Sequence, residues 1–106
     1  MGVETDNPFE KVLDRLREKG WTKKQFGESE GPNCIRGAAG YSGLSVWTDV
    51  IGPLRPIVQA EYKDRLGDTE IIAGFNDHPD TTFSDVERVL EKAAVKWEEE
   101  RVLRDD

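Results

Sequence analysis

One cysteine and one histidine in 106 residues leave few routes to covalent or metal chemistry. Cys34 has no second thiol to pair with, so no disulfide framework holds the fold. A structural zinc site takes four Cys and His ligands, more than the chain possesses. Around Asp77, His78 and Asp80 there is no alternation of acids, no central glycine and no closing glutamate, so a calcium loop is excluded as well. No apolar stretch approaches the roughly 20 residues that span a bilayer. Residues 1–6 have neither a basic segment nor an apolar one, and Asp6 stands where a myristoylation signal takes Ser or Thr. Asn-x-Ser/Thr is absent. These absences together point to a cytoplasmic protein that takes no metal or other cofactor.

Phosphate chemistry finds little support either. Gly31, Gly37, Gly40 and Gly43 lack both the Lys-Ser/Thr ending of a P-loop and the apolar strand that precedes one. A Cys34/His78 nucleophile pair oriented by Asp77 would depend wholly on the fold to assemble it, because nothing in the spacing marks it. Cys34 is expected to be a small, buried, inert side chain, and Asp77-His78-Pro79-Asp80 a turn whose oxygens cap helices.

What the chain does have is helical periodicity. Hydrophobic residues are 36% and charged residues 35%, a mixture that suits a small globule whose apolar residues fall in clusters. Asn7 caps and Pro8 opens a first helix near 7–19, with Phe9, Val12, Leu13 and Leu16 on one face and Gly20 as its stop. Residues 21–33 read as a loop anchored by Trp21 and Phe26, and 34–39 as a short helix ended by Gly40. Pro53 and Pro56 bracket the start of a helix near 54–66, with Pro56 in its first turn; it buries Leu54, Ile57, Val58, Tyr62 and Leu66, and stops at Gly67. Ile71, Ile72 and Phe75 fit one or two further turns. Thr82 and Asp85 form a capping box for the longest helix, near 82–102, whose stripe Phe83, Val86, Leu90, Ala93, Trp97 ends in a tryptophan expected to close the core. Residues 46–51 suit a minor strand or an irregular hydrophobic clamp. The fold class expected is mainly α: a single domain over 1–106, an irregular bundle of three longer or medium helices with short helical turns, frayed at 1–6 and 101–106.

Charge is unevenly placed. The net charge is −7, and residues 41–106, with fifteen acids against eight bases, carry all of the excess. Such a field repels nucleic acid and anionic membrane, and it favours a protein partner, of basic character if the acids do the docking. The candidate partner-binding acids are Asp64, Asp68, Glu70, Asp77, Asp80 and Asp85. Two alternatives stand beside this one: a small-ligand or enzymatic pocket built from Cys34, Arg36, Asn76 and Asp77, and a DNA mimic whose carboxylates stand in for phosphates. The first segment's bases alternate with Asp14 and Glu18 and suit a salt-bridged solvent face.

Gly20-Trp21, Cys34-Ile35-Arg36-Gly37-Ala38, Phe75-Asn76-Asp77 and Thr82 followed by Val86 together resemble a family of small uncharacterised proteins of actinobacteria and their phages, over roughly residues 9 to 95. The chain departs from that pattern at Phe75, where the family leads one to expect Trp, and in its Pro53/Pro56 segment. The resemblance implies a helical fold and a phage or actinobacterial setting, with no reaction attached. It leaves the function class as a non-enzymatic accessory or host-modulating factor that binds protein.

Overall fold

The computed structural model describes residues 7–23, 27–65 and 70–105, with side chains through Arg101. It is mainly helical, and the described residues contain no sheet. The first helix, α1, spans Pro8–Lys19. Asn7 Oδ1 accepts from the N–H groups of Phe9 and Glu10, and Gly20, at φ 98°, donates back to Leu16 O. Phe9, Val12, Leu13 and Leu16 are buried as their spacing predicts. Asn7 is buried too, because its Nδ2 donates 2.9 Å to Ala94 O and so ties the start of α1 to the longest helix.

Helix α2, Ile35–Tyr41, runs through Gly40 rather than stopping there, and the chain turns instead at Gly43, which has a positive φ of 78°. Residues 46–51 are not a strand. They form a π-helical turn, Val46–Ile51, closed by the Gly52 N–H on Trp47 O and leading directly into α3, Gly52–Glu61. The reason lies in the proline that follows. Pro53 has no N–H, so the Asp49 carbonyl a turn earlier lacks its regular donor, and a wider turn accommodates the mismatch. Pro53, not Pro56, occupies the first turn of α3; Pro56 is inside it.

Helix α3 also ends earlier than its apolar spacing suggests. Tyr62 leaves the helix at φ −133°, because its ring packs 4.9 Å from Phe75 and its hydroxyl donates to Asp85 Oδ1. A 3-10 turn, Lys63–Arg65, follows; Leu66, Gly67 and Asp68 lie outside the described residues, as do Phe26 and residues 1–6. Glu70 caps α4, Ile71–Asp77, by accepting from the N–H groups of Ile72 and Ala73.

The longest helix, α5, spans Phe83–Asp105, beyond the expected end at 102. Its capping box forms in both directions: Thr82 N–H to Asp85 Oδ2, and Asp85 N–H to Thr82 Oγ1. Helix α1 lies along α5, and α3 packs on both α5 and α4. Val86, Leu90 and Ala93 are buried, joined by Val89 and Ala94, which widen the stripe on either side. Phe83 and Trp97, at its two ends, are only half-buried.

Candidate functional site

The residues with the most chemical promise in the sequence are held by bonds inside the scaffold. Asn76 is 1% exposed, and each of its polar atoms is bonded twice. Its Oδ1 accepts from Trp21 Nε1 at 2.8 Å and from the Ile35 N–H at 3.1 Å. Its Nδ2 donates to Thr22 O at 3.1 Å and to Asp77 Oδ1 at 3.0 Å. One amide thereby joins the loop after α1, the first turn of α2 and the end of α4, with its hydrogen-bonding capacity filled.

A second buried asparagine does the same for the loop itself. Asn33 accepts from Arg15 Nε at 2.8 Å, donates to Glu28 O at 2.9 Å, and pairs its backbone with Gly20 and Thr22. Gly27, at φ 98°, sits so close to Pro32 O and Asn33 that no Cβ fits there.

Of the other pocket candidates, Cys34 is half-buried rather than buried. It is the N-cap of α2, its Sγ accepting from the Gly37 N–H at 3.3 Å. The chain thus brings Cys34, Asn76 and Asp77 into one neighbourhood through the Ile35 N–H. Arg36 leaves it: its guanidinium stacks 4.9 Å from the ring of Trp47, on the π-helical turn. His78 Nδ1 accepts from the Asp80 N–H, and Lys23 Nζ donates to His78 O at 2.7 Å, a cation at the C-terminal end of α4. Among the described residues no three His, Cys, Asp or Glu side chains gather into a possible metal-binding group.

The acidic candidates divide. Asp85 receives Arg65 Nη1 at 2.8 Å besides Tyr62 and Thr82. Burial pushes its carboxyl up, but the Thr82 N–H, Arg65 and Tyr62 outweigh burial and leave its pKa below the ordinary value. Glu70 is a helix cap with Arg55 at 3.8 Å, and Asp77 is half-buried against Asn76. Asp64 and Asp80 are exposed, and Asp68 lies outside the described residues. Carboxylates of α5 do not form an uninterrupted row: Arg17 holds Glu87 at 2.9 Å and Glu91 at 3.0 Å.

A different feature is open to solvent. Helices α3 and α5 diverge around a groove of about 930 Å³, lined on the α3 side by Pro56, Ile57, Ala60 and Glu61. The α5 side presents Ser84, Glu87, Arg88, Glu91, Lys92, Val95, Lys96 and Glu99. Glu61 reaches across it to Arg88 at 2.9 Å and Lys92 at 3.2 Å, and the Lys92 hydrogen bond, with Arg88, draws its pKa below the ordinary value against the opposing effect of burial. Val95 is 59% exposed in the middle of this wall. At its far end the groove adjoins a hollow of about 250 Å³ beside Phe9, Pro53 and Trp97. The sequence carried a signal for it: Val95 interrupts an otherwise polar face, beside bases at 88, 92 and 96 that recur at helical spacing.

A family model described as a family of unknown function (DUF6197) matches residues 3–96, and the chain belongs to that family. No curated protein and no solved structure matches the chain. Among the described residues, no helix is long and apolar enough to cross a membrane.

Proposed function

We propose that this member of a family of unknown function is a non-enzymatic protein-binding module, and that its docking surface is the groove between α3 and α5. One observation carries the reading. Exposed apolar side chains (Val95, Ala60, Pro56) lie there in a continuous channel between two helices, whereas Asn76, Asp85, Glu70 and Cys34 are engaged in holding the fold. A channel of about 930 Å³ running along two helices suits an amphipathic helix, which seats an apolar row while charged walls fix its register. Asp64 and Asp80, exposed outside the groove, add a long-range attraction for a basic partner. The resemblance to small proteins of actinobacteria and their phages supports a setting in the cytoplasm of an actinobacterium or of a phage-infected host.

A displayed library of helical peptides selected on the immobilised protein tests this. Ala60→Arg fills the channel and is expected to weaken the selected peptides at least about tenfold, as a blocked interface centre does. Asp64→Lys with Asp80→Lys, on the periphery, is expected to change equilibrium affinity by no more than about threefold. Peptides that bind Ala60→Arg as well as the parent would remove the groove from consideration.

A further inference from the structure

Arg15, Arg17, Arg65 and Arg88 each donate to an oxygen within 2.9 Å, and Arg55 faces Glu70 at 3.8 Å. Arg36 has no hydrogen bond or ion pair to any described residue, in a chain with 22 acids and 15 bases. Its guanidinium lies over Trp47, 4.9 Å from the ring centre, and Trp47 is itself 52% exposed. Neither residue lines the α3–α5 groove. We propose that this pair is a second docking point, which takes the carboxylate of an Asp or Glu flanked by an apolar residue in a segment of a protein partner.

Local bonds leave the pair to an outside acid. Thr48 Oγ1 donates to Ser45 Oγ at 2.7 Å, and Asp49 Oδ2 accepts from the Ser45 N–H at 2.9 Å. Asp49, the acid nearest to Trp47 in sequence, is thereby committed to the start of the π-helical turn and not to Arg36. The Gly52 N–H on Trp47 O closes that turn and fixes the backbone that carries the indole. Of the guanidinium nitrogens only Nε is closed off from solvent, so the Nη groups are left to meet an incoming oxygen. A guanidinium fork matches the two oxygens of a carboxylate, and its place against a ring pre-organises it. One positive charge balances a carboxylate but only part of a phosphate, which carries about −1.5 to −2. An indole half in solvent offers an open face for an apolar side chain beside the acid, and Trp and Arg are the residues on which protein interfaces most depend. The net charge of −7 opposes such a segment mainly at long range, where salt screens it beyond about 10 Å.

Peptides selected from a displayed library with a fixed central Glu and random neighbours provide the test. Selection uses the full chain carrying Ala60→Arg, so that the groove is closed, and affinities are then measured on the parent. Circular dichroism shows that each variant is folded. Arg36→Gln and Trp47→Ala are each expected to weaken the selected peptides at least about tenfold. Replacing the peptide's Glu by Gln is expected to weaken binding to the parent about tenfold, but binding to Arg36→Gln by no more than about twofold, because both changes remove the same interaction. A library that yields no binder, or peptides that bind Arg36→Gln or Trp47→Ala like the parent, overturns the proposal. Tighter, Arg36-dependent binding of peptides with phosphoserine in place of that Glu would overturn the carboxylate in favour of a phosphate. N-acetylglutamate that binds as tightly as the peptides would overturn the protein partner in favour of a small acid.

Discussion

Replacing Asn76 by Ala strands the Trp21 indole N–H, the Ile35 N–H and the Thr22 carbonyl in a nearly closed site. Each stranded buried group costs about 1–3 kcal/mol, so the variant is expected to lose about 3 kcal/mol or more. Asn76→Asp keeps the acceptor but turns a carboxylate towards Thr22 O and Asp77, and is expected to lose a comparable amount. Urea midpoints of both variants check this; midpoints like the parent's would show that the amide is dispensable to the fold. At this scale the sequence was partly legible. Asn7, Gly20, Thr82 and Asp85 could be placed because capping is local, set by residues within three or four positions. Asn76 could not, because three of its four bonds go to residues more than forty positions away. The Gly-Trp, Cys-x-x-Gly-Ala and aromatic-Asn-Asp segments meet at this one amide, a relation that spacing does not encode.

Elements with a regular apolar period were readable in their first turn and inner face, and elements joined by proline were not. Helix α1 needed only its cap, its stripe and Gly20. Residues 46–51 have the β-branched content of a strand, yet they form a π-helical turn directly ahead of Pro53. Helix α5 shows a different limit. Its stripe fixed which residues face inward but not how far the core reaches, so Trp97 is a half-buried edge beside Phe9 and Pro53 instead of a closed end. A fully buried aromatic loses about 3–5 kcal/mol on truncation, so at this edge Trp97→Ala is expected to lose about 2 kcal/mol and to leave a folded protein. Thermal unfolding measures it. A loss as large as that of a core aromatic would mean that α5 seats more deeply than its exposure indicates.

Across the whole molecule, the acidic excess is shared out among helix caps and ion pairs. Asp85 and Glu70 close helix ends, Glu61 bridges α3 to α5, and Glu87 and Glu91 hold Arg17. Charge counting along the chain saw a negative region; the fold turns much of it into cross-links between helices, and what remains open is a channel of mixed sign with Val95 at its centre. The central claim is that the chain recognises protein through this channel while the Asn76 cluster only supports it. Amide chemical shifts recorded while a selected helical peptide is added test that claim most directly. The account predicts shifts along Ile57, Ala60, Lys92, Val95 and Lys96, with Trp21, Ile35, Asn76 and His78 unmoved. Shifts gathered on Trp21, Ile35 and Asn76, with the α3–α5 channel silent, would contradict it.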